Sequence, residues 1–544
     1  MLSMQPYIAK RLAKIAFLSR RFCPRALYVR YRQSIWRAKA ERILGELSRT
    51  GQNQFNSDIL VDAMWDNPNY WIRYTLVRSA LGLFAAREVG VLGPFRAPYC
   101  RQTLKRFGIK DIVQIKDFYG DMASNGEEAV RLLSSTKKPE DILRWKLPEG
   151  VPADLVYDGI LKRQQAACIN LQDPRLVNYV TEALSAISAS QRLLEIKNFQ
   201  LIALSHIISF HHGSLAWLAL RKGIPVILLY GNYGIPRFVR LSKPMEIYDT
   251  TNRPTADEIS ALPRKQYEAL ARTGVDHLTK RRAGQTDDIG ARYAYQKRQG
   301  IIDRVSMTAE LGWDPSRPII AVYASNWFDF PHACGMVHFR DFLDWLQATV
   351  EVAVGNQRVN WLFKAHPCDD WYGGVTLSDL MPAVSYPHIR LADKRWNGSA
   401  LMDCVDGLVT YHGTAGIEFA AAGKPVLLTD KGWYHDVGFA KWPKSRQEYL
   451  DLLASEWWSE IDLQEASRLA QIFAGWYFGR PTWQGNFILD DDSKQWKIYE
   501  NVPTLIKENA EVISKEMETI REWFNSGHPH YHTYKMTRSD EFIS

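Results

Sequence analysis

Two short segments of the chain carry the residue types that bind phosphorylated ligands. Lys364-Ala365-His366-Pro367 follows directly on the apolar run Val359 to Phe363. Lysine offers phosphate a point charge and histidine a directional donor, and the proline fixes the turn that aims His366 outward. The second segment, His412-Gly413-Thr414-Ala415-Gly416-Ile417-Glu418, follows the apolar run Gly407 to Thr410. Its small residues let the backbone approach a ligand closely, and the N–H groups of a starting helix favour phosphate. Glu418, one turn later, is placed to accept hydrogen bonds from ribose hydroxyls.

The elements that must position these segments are legible as a repeat. His212-Gly213-Ser214, a helix-like stretch and Gly223-Ile224-Pro225-Val226-Ile227-Leu228 recur 200 positions later as His412-Gly413-Thr414, a similar stretch and Gly423-Lys424-Pro425-Val426-Leu427-Leu428. Each copy reads as strand, tight loop, helix, glycine stop and buried strand. A proline just past the helix-ending glycine prevents the helix from continuing. The Val/Ile/Leu run after it suits a parallel strand covered on both faces. The repeat predicts an α/β chain of two Rossmann-like, doubly wound domains. Strand ends of one sheet converge on one crevice, so the two phosphate-binding segments meet there. The N-terminal copy has Ala216 and Leu218 where the other has Gly416 and Glu418, which assigns the nucleotide to the C-terminal domain.

Pro318–Tyr323 is expected to be the first strand of that domain, with a polar linker around Arg281–Asp303 before it. The expected division is a basic amphipathic arm at 1–45, an N-terminal domain at 46–300, a C-terminal domain at 310–500, and a helix with a loosely ordered tail at 501–544. A length of 544 residues suits two or three domains, and 46% hydrophobic residues exclude a mainly disordered chain.

The net charge of +8 has one source. Residues 1–40 hold ten basic residues and no acidic one, and the remainder is slightly acidic. Such an arm suits an anionic membrane face, or else packing on the body of the protein. No nucleic-acid recognition motif accompanies it. Six scattered cysteines without a CxxC pair fit a reducing cytoplasm and argue against zinc. No apolar run is long enough for a membrane span.

Ser325-Asn326-Trp327 with Asp329 and Pro331, the Lys364–Pro367 turn and the segment from His412 to Leu428 together resemble bacterial capsule and surface-polysaccharide glycosyltransferases. The likeness is greatest to the group that includes the capsule Kdo transferases. It continues through Tyr434, Gly438-Phe439 and Glu448-Tyr449, and in the N-terminal half touches Asp154–Asp158, Leu161, Arg163 and Ser205-His206 with Gly213. It spans roughly residues 150–450, and residues 1–150 carry no motif that can be placed.

The resemblance implies a GT-B-like architecture, with two Rossmann-like domains facing a central cleft. A nucleotide sugar, such as a CMP-Kdo-like one, would be the donor on the C-terminal domain, held by Lys364, His366, His412, Gly413, Thr414, Ala415, Gly416 and Glu418. A glycan or glycolipid acceptor would sit on the N-terminal domain. No metal and no cofactor beyond the donor substrate are implied. Location would be cytoplasmic and peripheral to the inner face of the cell membrane, with no nucleic-acid partner. The usual Ser of the nucleotide loop is absent at Gly413-Thr414, which leaves the donor base open. Candidates for the base that deprotonates the acceptor hydroxyl are Asp158, His206, His211 and His212, with Asp158 and His206 foremost. Trp327, Trp371 and Trp433 stand nearest the site motifs for stacking on a sugar. A non-hydrolysing nucleotide-sugar epimerase and a CDP-alcohol-dependent polyol-phosphate transferase are the alternative activities.

Overall fold

Helix α1 (Pro24–Leu47) opens the described part of the chain. In the computed structural model the described residues are 24–51, 55–94, 98–230, 236–251, 253–286, 289–295, 300, 302–367, 369, 374–382, 386–479 and 495–538. Residues 1–23 of the basic arm, and Trp371, lie outside them.

Six strands form the first sheet: β1 (Asp58–Ala63), β2 (Arg87–Leu92), β3 (Asp111–Gln114), β4 (Phe199–Leu204), β5 (Val226–Leu228) and β6 (Val239–Leu241), in the order β3-β2-β1-β4-β5-β6. All pairs are parallel except β5 with β6. The second sheet contains β7 (Ile319–Tyr323), β8 (Asn360–Lys364), β9 (Ile389–Leu391), β10 (Gly407–Thr410) and β11 (Val426–Leu428), ordered β11-β10-β7-β8-β9 and wholly parallel. Both sheets place their first and fourth strands side by side, so each has a switch point where ligands bind at the carboxyl ends. The expected two Rossmann-like domains are present.

The repeat maps onto equivalent elements. The first copy is β4, α4 (Ser209–Arg221) and β5, and the second is β10, α6 (Ala415–Ala421) and β11, each with its glycine stop at φ +75°. The two copies differ where chemistry would occur. Helix α4 already contains His212 and Gly213, whereas α6 starts only after His412 and Gly413. A side chain at Gly213 would lie 2.9 Å from the Ile207 carbonyl and 2.7 Å from Leu155. Glycine there lets α4 close onto α3 (Ala153–Gln164), which carries Asp158.

Three segments depart from the expected organisation. Helix α2 (Pro68–Ala80), after β1, is wholly buried, because α1, α8 (Gln495–Glu508) and α9 (Ala510–Ser526) cover it. The C-terminal helices thus return to the N-terminal sheet. The tail beyond Ser526 is not loose: in α10 (Tyr531–Met536) all six side chains are buried, and His532 Nε2 meets the Trp476 carbonyl at 2.8 Å. The stretch after Arg281 is not a solvated linker at its start. Helix α5 (Arg264–Arg282) packs along α7 (Leu463–Phe478), and Arg281 is 1% exposed.

The inner half of the basic arm is structural. Arg37 bonds Glu41 at 2.6 Å and Asp66 at 2.7 and 2.8 Å, while Ala40, Glu41 and Leu44 are buried. Tyr31 and Ile35 remain exposed at its outer end. Among the described residues no helix is long and apolar enough to cross a membrane.

Candidate functional site

Strand register lines up the C-terminal half of the site. Thr410, Tyr323 and Lys364 are neighbours across β10, β7 and β8, at the carboxyl end of each strand. β-Branched and aromatic residues bury these strands on both faces, so the first side chains to escape the core are those at their ends. Lys364 Nζ lies 4.8 Å from the Tyr323 ring centroid, and burial pulls its pKa down to about 8. Among the described residues no carboxylate stands within ion-pair distance of Lys364. Tyr323 Oη and His412 Nδ1 are buried polar atoms lacking a hydrogen-bond partner among the described residues. Burial pulls His412 down to about 4, against the nearby Asp329, with His366 adding to the depression. A cavity of about 90 Å³ opens here, lined by Lys364, His366, Lys394, Trp396 and Tyr293 among others.

The structure places Lys364 and His366 on one cavity, has His412 near enough to feel the charge of His366, and gives the rest of the second segment other neighbours. Glu418 is 4% exposed and faces Arg281. Arg281 Nε reaches Glu418 Oε1 at 2.5 Å, the Tyr295 hydroxyl donates to Oε2, and Arg281 Nη2 donates to Thr414 Oγ1 at 3.1 Å. A ribose could reach this carboxylate only by displacing those donors. Gly416 makes room for the Tyr434 hydroxyl, which donates to the Gly413 carbonyl at 2.7 Å. Thr414 stands just before α6 without a side-chain capping bond, and Ala415 is the helix's first residue. Trp327 is fully buried and unavailable to a sugar; Trp433 donates to the His412 carbonyl at 2.7 Å.

Across the cleft, α3 docks on the loop after β7. Tyr157 donates to Asp341 at 2.6 Å and Lys162 to Asp329 at 3.0 Å. Between them His332 donates to Asp158 twice, from Nδ1 to Oδ1 at 2.6 Å and from its backbone N–H to Oδ2 at 3.0 Å. Burial alone would lower the pKa of His332, but the charge and hydrogen bonding of Asp158 outweigh it and raise it. Both oxygens of Asp158 are thereby committed to His332. Asp158 thereby holds the His332 imidazole in place with both of its oxygens.

Both domains line a second cavity of about 200 Å³, which includes Asp158, Ser205, His206, Tyr230, Phe330 and His332. His211 points elsewhere, to the Tyr119 hydroxyl at 2.8 Å, and His212 to Asp62 at 3.2 Å. His332 and Asp62 were not singled out from sequence. His332 sits one residue beyond the Asp329/Pro331 pattern, and Asp62 is the last residue but one of β1, in the region without a placeable motif. Among the described residues no group of three or more His, Cys, Asp or Glu could hold a metal ion.

No family model matches the chain, and no curated protein does. Solved structures similar to it include a UDP-GlcNAc 2-epimerase from Neisseria meningitidis bound to UDP-GlcNAc, 12% identical, covering 83% of this chain and 100% of the epimerase at a TM-score of 0.22. The spinosyn rhamnosyltransferase SpnG is 11% identical and covers 83% of this chain and 100% of its own, at a TM-score of 0.24. Overlaps this slight carry no argument about function. The GT-B-like plan of two Rossmann-like domains facing a cleft rests on strand order, register and the cavity lined from both sides.

Proposed function

We propose that the protein is a glycosyltransferase that moves a sugar from a nucleotide donor to a surface-polysaccharide or lipid-linked acceptor. The observation that carries this reading is Lys364. It is a half-buried ammonium at a strand's carboxyl end, over the Tyr323 ring and with no carboxylate in ion-pair distance among the described residues, at strand ends that also carry the buried polar atoms His412 Nδ1 and Tyr323 Oη. A desolvated charge of this kind costs stability unless an anion completes it, and a nucleotide phosphate is the anion such a crevice takes. Lys364, His366 and His412 hold the phosphates. His332, whose pKa Asp158 raises and which stands on the same domain as Lys364, offers positive charge to the departing phosphate. The acceptor occupies the cavity between the domains.

Calorimetric titration with CMP-, UDP- and GDP-sugars tests the donor assignment. One of them is expected to bind, and Lys364→Met to weaken it about 10- to 100-fold, the worth of a charge-assisted hydrogen bond. Affinity should fall as pH rises through about 8, where Lys364 loses its proton. The unfolded chain keeps that proton to about 10.5, so apo stability rises between those values. Lys364→Met removes this slope and raises the apo melting temperature at pH 7. No nucleotide affinity, or affinity unchanged in both Lys364→Met and His366→Ala, rejects the donor site.

An acceptor-free epimerase would also use a base and an acid in one cavity, as the histidines of the cleft allow. An NMR time course with donor alone separates the two, since only an epimerase interconverts the sugar without acceptor.

The arm is proposed to hold the enzyme at anionic lipid. Because α1 is anchored from Arg37 onward, the truncation to make is at residue 23. Removing 1–23 is expected to abolish sedimentation with phosphatidylglycerol vesicles and to leave nucleotide binding unchanged; retained sedimentation assigns the arm a purely structural role.

A further inference from the structure

The switch point of the N-terminal sheet holds a hydrogen-bonded chain that ends in the cleft. β1 and β4 are parallel neighbours there, with Val61 opposite Ala203. Asp62, 1% exposed, therefore reaches Ser205 just past β4. Its Oδ1 accepts from the Met64 N–H at 2.7 Å. Its Oδ2 accepts from the Ser205 N–H at 3.0 Å, the Ser205 hydroxyl at 2.5 Å and His212 Nε2 at 3.2 Å. Burial pushes the Asp62 carboxyl up, but His212 and Ser205 outweigh it and hold it well below the usual carboxylate range.

The direction of each proton follows. An ionised carboxylate only accepts, so the single hydroxyl proton of Ser205 points to Asp62. Ser205 Oγ then has only lone pairs left for its second contact, His206 Nδ1 at 2.8 Å. Nδ1 must carry the proton, and in a neutral ring Nε2 is left with the lone pair. His206 lines the cleft cavity with His332, and the His212 ring lies 3.9 Å behind it. Burial, reinforced by His212 and opposed by the charge of Asp62, lowers the His206 pKa from its ordinary value, which favours the neutral ring.

We propose that Asp62 and Ser205 are positioning residues that fix His206 as the Nδ1–H tautomer, making its Nε2 the general base for the acceptor hydroxyl. This rests on the glycosyl-transfer reading. In the step, the acceptor O–H bond breaks and its proton passes to Nε2. The acceptor oxygen bonds to the anomeric carbon, and the bond from that carbon to the phosphate oxygen breaks, the phosphate leaving with the electron pair. Asp158, committed to His332, is not the base.

Two-bond ¹H–¹⁵N spectra of protein labelled at histidine read the tautomer directly, with His206→Gln identifying the signals. The wild type at pH 7 is expected to show His206 as Nδ1–H. Asp62→Asn places an amide donor against Ser205, turns the hydroxyl proton toward His206 and moves the ring to Nε2–H; Ser205→Ala removes the Nδ1 acceptor and, should Asp62→Asn not fold, tests the same chain. Both variants should lose 100-fold or more in kcat with the nucleotide Kd within twofold, and free imidazole should restore part of the rate of His206→Ala. An imidazolium or Nε2–H ring in the wild type overturns the proposal, as does a tautomer indifferent to Asp62→Asn and Ser205→Ala. The spectra need no donor, so a protein that binds no nucleotide yet shows the Nδ1–H ring refutes the glycosyl-transfer reading and leaves the tautomer chain standing.

Discussion

Glu418→Ala is expected to lower folding stability by about 3–5 kcal/mol, because it removes the carboxylate paired with the buried Arg281 guanidinium. Arg281 and Glu418 are 1% and 4% exposed, and the pair closes the seam between α5 and α6. Removing one partner of a buried pair forfeits the attraction while the desolvation of the other charge remains. The Tyr295 hydroxyl also loses its acceptor. Urea denaturation would show the loss as a lower midpoint at unchanged slope. Replacing both partners, Glu418→Leu with Arg281→Met, should recover most of it, since both charges leave the core together. If Glu418→Ala instead leaves the midpoint in place and only weakens nucleotide binding, the carboxylate is a ligand contact and the pairing with Arg281 is incidental.

Asp158→Asn is expected to reduce turnover by about 10²- to 10⁴-fold, the range for losing a positioned proton-handling group, with the donor Kd within twofold. Asn presents an amide where Asp158 Oδ1 now accepts the Nδ1 proton of His332, and it removes the charge that keeps the imidazole protonated. The pH dependence of stability checks the same pair with no substrate. The folded-state pKa of His332 lies above its ordinary 6.5. Its contribution is therefore complete below about pH 6.5 and is lost as pH rises through the folded value. In Asp158→Asn that decline should vanish. A variant with wild-type turnover would remove the His332–Asp158 pair from the reaction and leave it as a clasp between the domains.

Legibility varied along the chain for physical reasons. The second sheet was readable because buried parallel strands need continuous apolar runs, as in Ile319–Tyr323 and Asn360–Lys364. Lys364 and His366 stood out because a charged residue directly after such a run must lie at the strand's exit. The repeat announced both fourth and fifth strands, since Gly-x-Pro-Val has few local solutions. The first three strands went unread because Asp58–Ala63 and Arg87–Leu92 carry acidic and basic residues whose partners lie far away in sequence. The tail past Ser526 read as loose because its His/Tyr composition is polar, yet Tyr531 packs on Phe238 and meets Glu516 at 2.6 Å.

What the amino-acid order determined by itself is the pair of Rossmann-like units and where their strands end, because these follow from short-range patterns of burial and turn chemistry. Tertiary structure decided which partners the polar groups have. Glu418 is answered by Arg281, 137 positions away, Asp158 by His332, 174 away, and Ser205 by Asp62, 143 away. A carboxylate's role depends on which donor fills its lone pairs. That donor is chosen by the docking of one element on another, and no local spacing encodes it.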